Sequence, residues 1–254
     1  MIILSNSCSF GAPDQNHKIY PEFISDIVGG SLINDAIPGS CNRRIIRSTL
    51  RTLIDLVKTN EDILVLVGLT FISRTELWQP WLEPDKTDGD FHSISSKKII
   101  SLDWSKGLNN TFHSNVACHA DEEVKDYYKQ WLIHYSKEAA VTELLTDVIM
   151  LTNFAKNNGI NILIFENCQK LPTLPHVDVE SPFLDNFFKY TNDSKNVVNL
   201  WDFSFRDFAL NAGYKPKDAH KLGNDGHPSE EAHEHFANYI IEYIRSHDIC
   251  TLTR

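Results

Sequence analysis

The hydrophobic residues of this chain alternate between short aliphatic runs and longer stretches with apolar residues at helical spacing. The aliphatic runs predict five strands, at 2–4, 31–37, 61–68, 160–165 and 196–203. The third contains Ile63-Leu64-Val65-Leu66-Val67 without a polar residue, which indicates a strand buried on both faces. Helical spacing predicts crossover helices at 21–28, 42–57 and 139–155, with Asn42 as an N-cap, and a last helix that begins after the N-cap Ser229.

Strands that alternate with helices predict an α/β fold, in which a central parallel sheet of about five strands lies between two helical layers. We expect one domain over residues 1–254, with an irregular insertion at about 69–129 that interrupts the alternation. An irregular segment of this length is typical of a functional lid or of an insertion packed onto the domain, and both interpretations stay open.

Small and polar residues follow the predicted strands, at the edge where a parallel sheet collects its ligands. Ser7 follows the first strand, Gly39 the second and Thr70 the third, so we expect them to lie side by side. A hydroxyl at a strand-to-helix turn is suited to a nucleophile. Near the other end of the chain, Asp225 precedes His227 by two residues in a glycine-rich loop. This pair predicts a base and a carboxylate that orients it.

Composition narrows the class of protein. The net charge of -10 argues against binding to a nucleic-acid backbone, and we interpret Arg43, Arg44, Arg47 and Arg51 as the solvated face of a helix. Five scattered cysteines without CxxC spacing favour a reducing compartment over a disulfide framework. No apolar run approaches the ~20 residues that a membrane span requires, and no signal peptide precedes the first strand. We therefore expect a cytoplasmic protein with no membrane partner.

The order of the motifs resembles the SGNH (GDSL) hydrolase family. The segment 5–11, with the sequence SNSCSFG, matches the family's Gly-Asp-Ser-Leu block and puts Ser7 at the nucleophile. Gly39 matches the glycine of the second block, which donates a backbone N–H to the oxyanion hole. Gly68-Leu69-Thr70 stands where the third block has Gly-x-Asn. Residues 224–228, with the sequence NDGHP, stand at the last block, which carries the acid and the base.

Ser5 and Asn6 stand where the family usually has Gly and Asp, while Ser7 is kept. Two further positions depart from the family's pattern. Thr70 replaces the oxyanion-hole asparagine, and losing one such donor typically costs ~10²–10³ in rate. Either the Thr70 hydroxyl or the amide of nearby Asn42 is our candidate for the replacement. The family's acid usually lies three residues before the histidine, where this chain has Asn224. We predict Asp225 as the orienting carboxylate, and a Ser–His dyad helped by a backbone carbonyl stays open.

The resemblance implies a three-layer αβα sandwich with a flavodoxin-like sheet, and a serine hydrolase that cleaves an ester through an acyl-enzyme. The expected substrate carries a small acyl group such as acetyl, for example on a carbohydrate, and no cofactor is expected. Arg74 is a candidate for substrate binding, with an ion pair that braces the insertion as the alternative. The chain also resembles proteins encoded by tailed phages, and an origin of that kind would place it in the host cytoplasm or the virion.

Other functions on the same scaffold stay open. The first alternative is a catalytically weak or inactive protein with a binding or structural role. A peptidase, thioesterase or lipase is the second. Activity lost on Ser7→Ala would separate the hydrolases from the binding protein, and substrate profiling would then separate the esterase from the other hydrolases. The oligomeric state is not predicted.

The sequence offers two further candidate sites, a thiol nucleophile and a metal site. Cys8 adjoins Ser7, but we expect its thiol to point into the core, as free cysteines commonly do. His233 and His235 lie two residues apart on the predicted last helix and lack a zinc spacing such as HExxH. We expect both to be solvated helix residues that form no metal site.

Overall fold

Four parallel strands form one sheet in the computed structural model of the chain. They are β1 (Ile2–Ser7), β2 (Ser31–Asn34), β3 (Ile63–Leu69) and β4 (Asn161–Glu166), in the spatial order β2-β1-β3-β4. The structure describes residues 1–8, 10–12, 17–37, 40–72, 134, 136–171, 186, 189–190, 194–214 and 227–252. Because β1 is paired on both sides, all of its residues are buried.

Helices cover both faces of this sheet. In the described ranges they are α1 (Tyr20–Val28), α2 (Asn42–Leu56), α3 (Lys137–Asn157), α4 (Phe205–Asn211) and α5 (Glu230–Ser246). Successive strand residues point to opposite faces. Asn6 of β1 bonds to α2, whereas Phe165 of β4 contacts Tyr20 of α1 from the other face. Since α2 packs against α3 and α1 against α5, the predicted three-layer α/β arrangement is confirmed.

The predicted fifth strand at 196–203 is reduced to a single bridge. Val197 pairs in parallel with Ile164 of β4, and the N–H of Val198 donates to the Ile164 carbonyl at 2.9 Å. The strand pairing stops after Val198 because the Asn199 side chain binds the backbone N–H groups that follow it. Its Oδ1 accepts the N–H groups of Trp201 at 3.0 Å and of Asp202 at 3.2 Å. Such a side-chain turn replaces the bonds of a longer strand.

The start of α2 differs from the prediction by one residue. Cys41, not Asn42, is the N-cap, and its Sγ accepts the N–H of Arg44 at 3.5 Å. Asn42 is the first helical residue, and its side chain bonds to the backbone of Thr70 instead. A long-range partner has therefore taken the side chain that sequence alone assigns to the cap.

The arginine cluster of α2 is not uniformly solvated. Arg43 and Arg51 are exposed, as predicted, but Arg44 is buried. The guanidinium of Arg44 donates to the Ser40 hydroxyl at 2.7 Å, one helical turn earlier. A buried charged group needs hydrogen bonds as well as a charge partner. The bond to Ser40 supplies one of those hydrogen bonds and ties α2 to the loop that precedes it.

The short helix α4 was not predicted. Ser204 is its N-cap and accepts the N–H of Asp207 at 3.1 Å. A serine followed three residues later by an acidic residue is the signal that could have revealed it.

The predicted insertion at about 69–129 lies almost wholly outside the described residues, which end at 72 and resume at 134. In the part of the chain that the structure describes, no helix is long and apolar enough to cross a membrane.

The cap of α5 provides a test of the fold. The Ser229 hydroxyl accepts the N–H of Ala232 at 3.3 Å, and Glu230 and Glu231 follow in the first turn. We expect Ser229→Ala to lower the free energy of unfolding by about 1 kcal/mol, because an N-terminal N–H loses its acceptor. Urea denaturation measures this, with Ser246→Ala at the other end of α5 as the control. Equal stability of the two variants would contradict the assigned cap.

Candidate active site

Ser7 lies at the carboxyl end of β1 and is fully buried. Its Oγ–H donates to the carbonyl oxygen of Cys8 at 3.0 Å. In the sheet it is in register with Gly68 of β3, and its own carbonyl accepts the N–H of Ile37 at 3.3 Å. Pairing along β1 thus continues past the end of β2 and brings the next loop alongside Ser7.

That loop carries Gly39, which lies outside the described residues together with Pro38. The residues on either side are described. Ile37 bonds to Ser7, and the carbonyl of Ile37 accepts both the N–H of Ser40 at 3.2 Å and its hydroxyl at 2.7 Å. The flanks of Gly39 are therefore anchored next to Ser7, while its role as an oxyanion donor stays a prediction.

Asn42 and Thr70 are joined by two hydrogen bonds. Oδ1 of Asn42 accepts the backbone N–H of Thr70 at 2.7 Å, and Nδ2 donates to the Thr70 carbonyl at 2.9 Å. The amide holds the residue after β3 against the first turn of α2. Because an amide nitrogen carries two hydrogens, Asn42 has one hydrogen beyond the one used in this pair.

The Thr70 hydroxyl donates to Sγ of Cys168 at 3.5 Å. Cys168 in turn lies 3.2 Å from Cys8, measured between the two sulfur atoms. Cys8 is fully buried and belongs to the hydrophobic core, as predicted. In this structure the Thr70 hydroxyl is thus engaged by a sulfur of the core.

Two glycines make room for a buried group of three polar side chains, Ser7, Tyr20 and Asn167. A Cβ on Gly11 would lie 2.2 Å from Oγ of Ser7 and 2.7 Å from the Tyr20 hydroxyl oxygen. A Cβ on Gly68 would lie 2.1 Å from Nδ2 of Asn167. These separations are far below van der Waals contact. Only glycine fits at either position while the three polar side chains stay where they are.

His227 comes from the opposite end of the chain and reaches the Ser7 loop. Its ring centroid lies 5.3 Å from that of Phe10, three residues after Ser7. Phe10 is buried against Phe205 at the start of α4. The base and the nucleophile predicted from sequence are therefore brought to the same region, although Asp225 and Arg74 lie outside the described residues.

The prediction that His233 is solvated is wrong. It is buried, its Nδ1 accepts the backbone N–H of Tyr20 at 3.3 Å, and its ring stacks on that of Tyr20. His235 is exposed, as predicted. A step of two residues turns about 200° around a helix axis, so only one of the two can face the core. Within the described residues, no three His, Cys, Asp or Glu side chains are grouped to bind a metal ion.

Glu166, which the sequence analysis missed, is the last residue of β4. It is fully buried, and neither carboxyl oxygen has a hydrogen-bond partner among the described residues. Burial, and to a lesser degree the neighbouring Cys8, raises the pKa of Glu166 well above its usual range. The signal was available, because Glu166-Asn167 follow an aliphatic run just as Ser7 and Thr70 do.

No protein-family model matches the chain, and no curated protein matches it either. Among solved structures, the esterase EstA from Pseudoalteromonas sp. is similar, with 14% identity, coverage of 96% of this chain and 97% of that one, and a TM-score of 0.45. The acetylxylan esterase Axe2 from Geobacillus stearothermophilus is similar at 12% identity, with 96% and 93% covered and a TM-score of 0.43. A protein of the G-D-S-L family from Desulfitobacterium hafniense DCB-2 is similar at 11% identity, with 95% and 98% covered and a TM-score of 0.43. Similarity at such low sequence identity establishes neither the activity nor the active site of this chain. Both have to be argued from its own residues.

Glu166, which has no hydrogen-bond partner in the described part of the chain, predicts an unusual pH dependence of stability. Because its pKa is raised by burial, the folded protein keeps a proton that the unfolded chain loses as the pH rises. The stability contributed by the protonated acid is complete below the pKa that Glu166 has in the unfolded chain. It declines as the pH rises toward the higher pKa of Glu166 in the folded protein. Glu166→Gln keeps the shape of the protonated acid without titrating. We expect wild type to lose stability relative to this variant with rising pH, by at most about 1.4 kcal/mol per pH unit.

Urea unfolding at several pH values between about 5 and 8 measures this decline in stability, because the range lies above the usual carboxyl pKa. Glu234→Gln, on the exposed side of α5, is the matched control and should follow wild type. Parallel stability profiles for wild type and Glu166→Gln would show that the carboxyl is not held in its protonated form.

Proposed function

We propose that this chain is a serine hydrolase that cleaves esters, with Ser7 as nucleophile and His227 as base. One observation carries the proposal: the ring of His227, from the far end of the chain, packs on Phe10 in the loop that follows Ser7. The carboxyl end of a central parallel strand is where α/β proteins place reacting groups. The order of sequence blocks that resembles the SGNH (GDSL) hydrolases supports the same assignment.

The reaction begins with rotation of the Ser7 hydroxyl away from the Cys8 carbonyl, to which it donates at rest. Oγ attacks the ester carbonyl while His227 takes the hydroxyl proton, and the same histidine then gives it to the leaving alcohol. Water hydrolyses the acyl-enzyme by the reverse of these proton transfers. Asp225 orients His227 in this scheme, and a Ser–His dyad is the alternative.

The oxyanion is held by backbone N–H groups of Ser7 and Gly39 and by one side-chain donor. Between the two candidates, the bonds described above favour Asn42. The Thr70 hydroxyl donates to Cys168, whereas the amide nitrogen of Asn42 has a second hydrogen. Since α2 and the Thr70 backbone fix this amide, it would act without reorganisation.

The proposed substrate is an ester of a small acyl group, such as an acetyl group on a carbohydrate, with Arg74 as a contact. This part of the proposal rests on the family resemblance and not on geometry. Every step uses side chains and backbone groups of the chain itself.

A second candidate function is a protein with a binding or structural role and little activity. The observation that favours it is that Ser7 is fully buried and its hydroxyl is bonded to its own backbone neighbour. A nucleophile must reach its substrate, so this role would require that the rotation described above never occurs.

The first test is removal of the nucleophile. We expect Ser7→Ala to lower kcat for p-nitrophenyl acetate by at least about 10³-fold, and to abolish covalent labelling by a fluorophosphonate probe. Ser5→Ala removes a buried hydroxyl two residues earlier on β1 and should retain both. Turnover by wild type that survives in Ser7→Ala would overturn the nucleophile, and an unreactive wild type would favour the binding role.

The second test concerns the base. His227→Ala should lower kcat/KM by about 10³-fold or more, because the Ser7 proton loses its acceptor. His235→Ala, which removes an exposed histidine of α5, is the matched control and should keep the wild-type rate. Comparable activity in both variants would show that His227 is not the base.

A further inference from the structure

The hydroxyl of Tyr20 lies beside that of Ser7. Both oxygens border the α-carbon of Gly11, since a Cβ there would lie 2.2 Å from Oγ of Ser7 and 2.7 Å from the Tyr20 oxygen. Tyr20 is the first residue of α1, and its side chain is fully buried. A polar group that reaches the candidate nucleophile from inside the protein has no part in the mechanism described so far.

The Tyr20 oxygen also accepts a hydrogen bond, from a residue other than Ser7. Nδ2 of Asn167 donates to the Tyr20 oxygen at 3.5 Å. Asn167 lies directly over Gly68, the register partner of Ser7, and a side chain on Gly68 would displace it. An oxygen that accepts from Asn167 has its own hydrogen available for the hydroxyls of β1, of which Ser7 affects the pKa of Tyr20 more strongly than Ser5.

Tyr20 is held without help from Ser7. Its ring makes edge contacts with Phe165, Phe205 and Phe236, at centroid distances of 5.8, 5.8 and 5.3 Å. The backbone N–H of the same residue donates to Nδ1 of the buried His233. These contacts come from β4, α4 and α5, so three separate elements fix the position of the hydroxyl.

The hydroxyl also keeps its proton. Burial raises the pKa of Tyr20 to about 12, against a lowering effect of Asn167 and Ser7. The group is therefore a neutral phenol wherever the protein is folded near neutral pH, and it can donate to a neighbouring oxygen.

We propose that Tyr20 is a positioning residue for Ser7. The Tyr20 hydroxyl donates a hydrogen bond to Ser7 Oγ when the Ser7 hydroxyl turns from the Cys8 carbonyl toward His227. This inference rests on the proposed function, because it presupposes that Ser7 is the nucleophile. With one of its two lone pairs accepting from Tyr20, Ser7 Oγ directs its hydrogen to the base and keeps the other lone pair for attack. A chain of donors then runs from the Asn167 amide through Tyr20 and Ser7 to His227.

Tyr20 exchanges no proton in this scheme. On attack, the Oγ–H bond of Ser7 breaks and its proton goes to His227, while Oγ forms a bond to the acyl carbon and the carbonyl electron pair moves to the oxyanion. Tyr20 stays protonated throughout. Its effect is on the orientation of Oγ, and hence on kcat, and not on substrate binding.

Tyr20→Phe tests this, because it removes the hydroxyl and keeps the ring. With p-nitrophenyl acetate we expect kcat to fall about tenfold at unchanged KM. The rate of fluorophosphonate labelling at Ser7 should fall by a similar factor. Rates are compared per folded molecule, with the folded fraction taken from near-UV circular dichroism. Tyr239→Phe is the matched control, since it removes the hydroxyl of a half-buried tyrosine on α5 that stacks on Phe203 and should leave both rates unchanged.

The outcomes separate the two proposals. If wild type is labelled at Ser7 and Tyr20→Phe is labelled as fast, Tyr20 does not position Ser7 but the nucleophile stands. An equal loss in Tyr239→Phe, or a rise in KM with kcat unchanged, also overturns the positioning role. If wild type is not labelled, the nucleophile and the positioning role fall together.

Should Tyr20→Phe fail to fold, Asn167→Ser carries the same test. It removes the donor to the phenol and leaves Tyr20 in place, so a fall in kcat with KM unchanged is expected. A wild-type kcat in this variant would overturn the chain of donors.

Discussion

The structure depends on the placement of a polar strand end in the middle of a buried parallel sheet. β1 is paired with β2 on one side and β3 on the other, and Ser5, Asn6 and Ser7 at its carboxyl end are fully buried. Buried polar groups are costly unless they are hydrogen-bonded. The amide nitrogen of Asn6 meets this demand on the α2 face, where it donates to the Ser48 hydroxyl at 2.7 Å and to the Ile45 carbonyl at 3.2 Å. The central strand is thereby tied to a helix by side-chain bonds and not by packing alone. Oδ1 of Asn6 and the Ser5 hydroxyl have no hydrogen-bond partner among the described residues.

On the α1 face, two glycines make room for buried polar groups. Gly11 and Gly68 carry no side chain, and the space goes to the Ser7 and Tyr20 hydroxyls and the Asn167 amide. The polar groups come from β1, α1 and the residue after β4, which are far apart in the chain. A local sequence pattern could not have revealed this group, because its members meet only when the sheet has formed and α1 has packed across it.

The α2 face near the edge of the sheet has a different character. The sulfur atoms of Cys8 and Cys168 lie 3.2 Å apart, the Thr70 hydroxyl donates to one of them, and the Glu166 carboxyl is buried without a partner among the described residues. Low polarity here favours the neutral acid and explains the direction of the Glu166 pKa. The Thr70 hydroxyl is bonded to a thiol and its backbone to Asn42, and for this reason we propose Asn42 and not Thr70 as the side-chain donor.

The sequence by itself determined the alternation of strands and helices, the parallel sheet, and the edge at which Ser7 and Thr70 lie, because hydrophobic periodicity and the polar residues that follow each strand are local signals. It placed the cap of α5 at Ser229 for the same reason. Tertiary structure alone decided that Asn42 serves Thr70 and not the helix cap, that Arg44 and His233 are buried, and that the Asn199 turn cuts the fifth strand short. Each of these depends on a partner distant in the chain, or on competition between a side chain and a strand for the same backbone groups. Burial and hydrogen bonding depend on which elements meet in space. The hydrophobic periodicity along the chain does not specify these tertiary contacts.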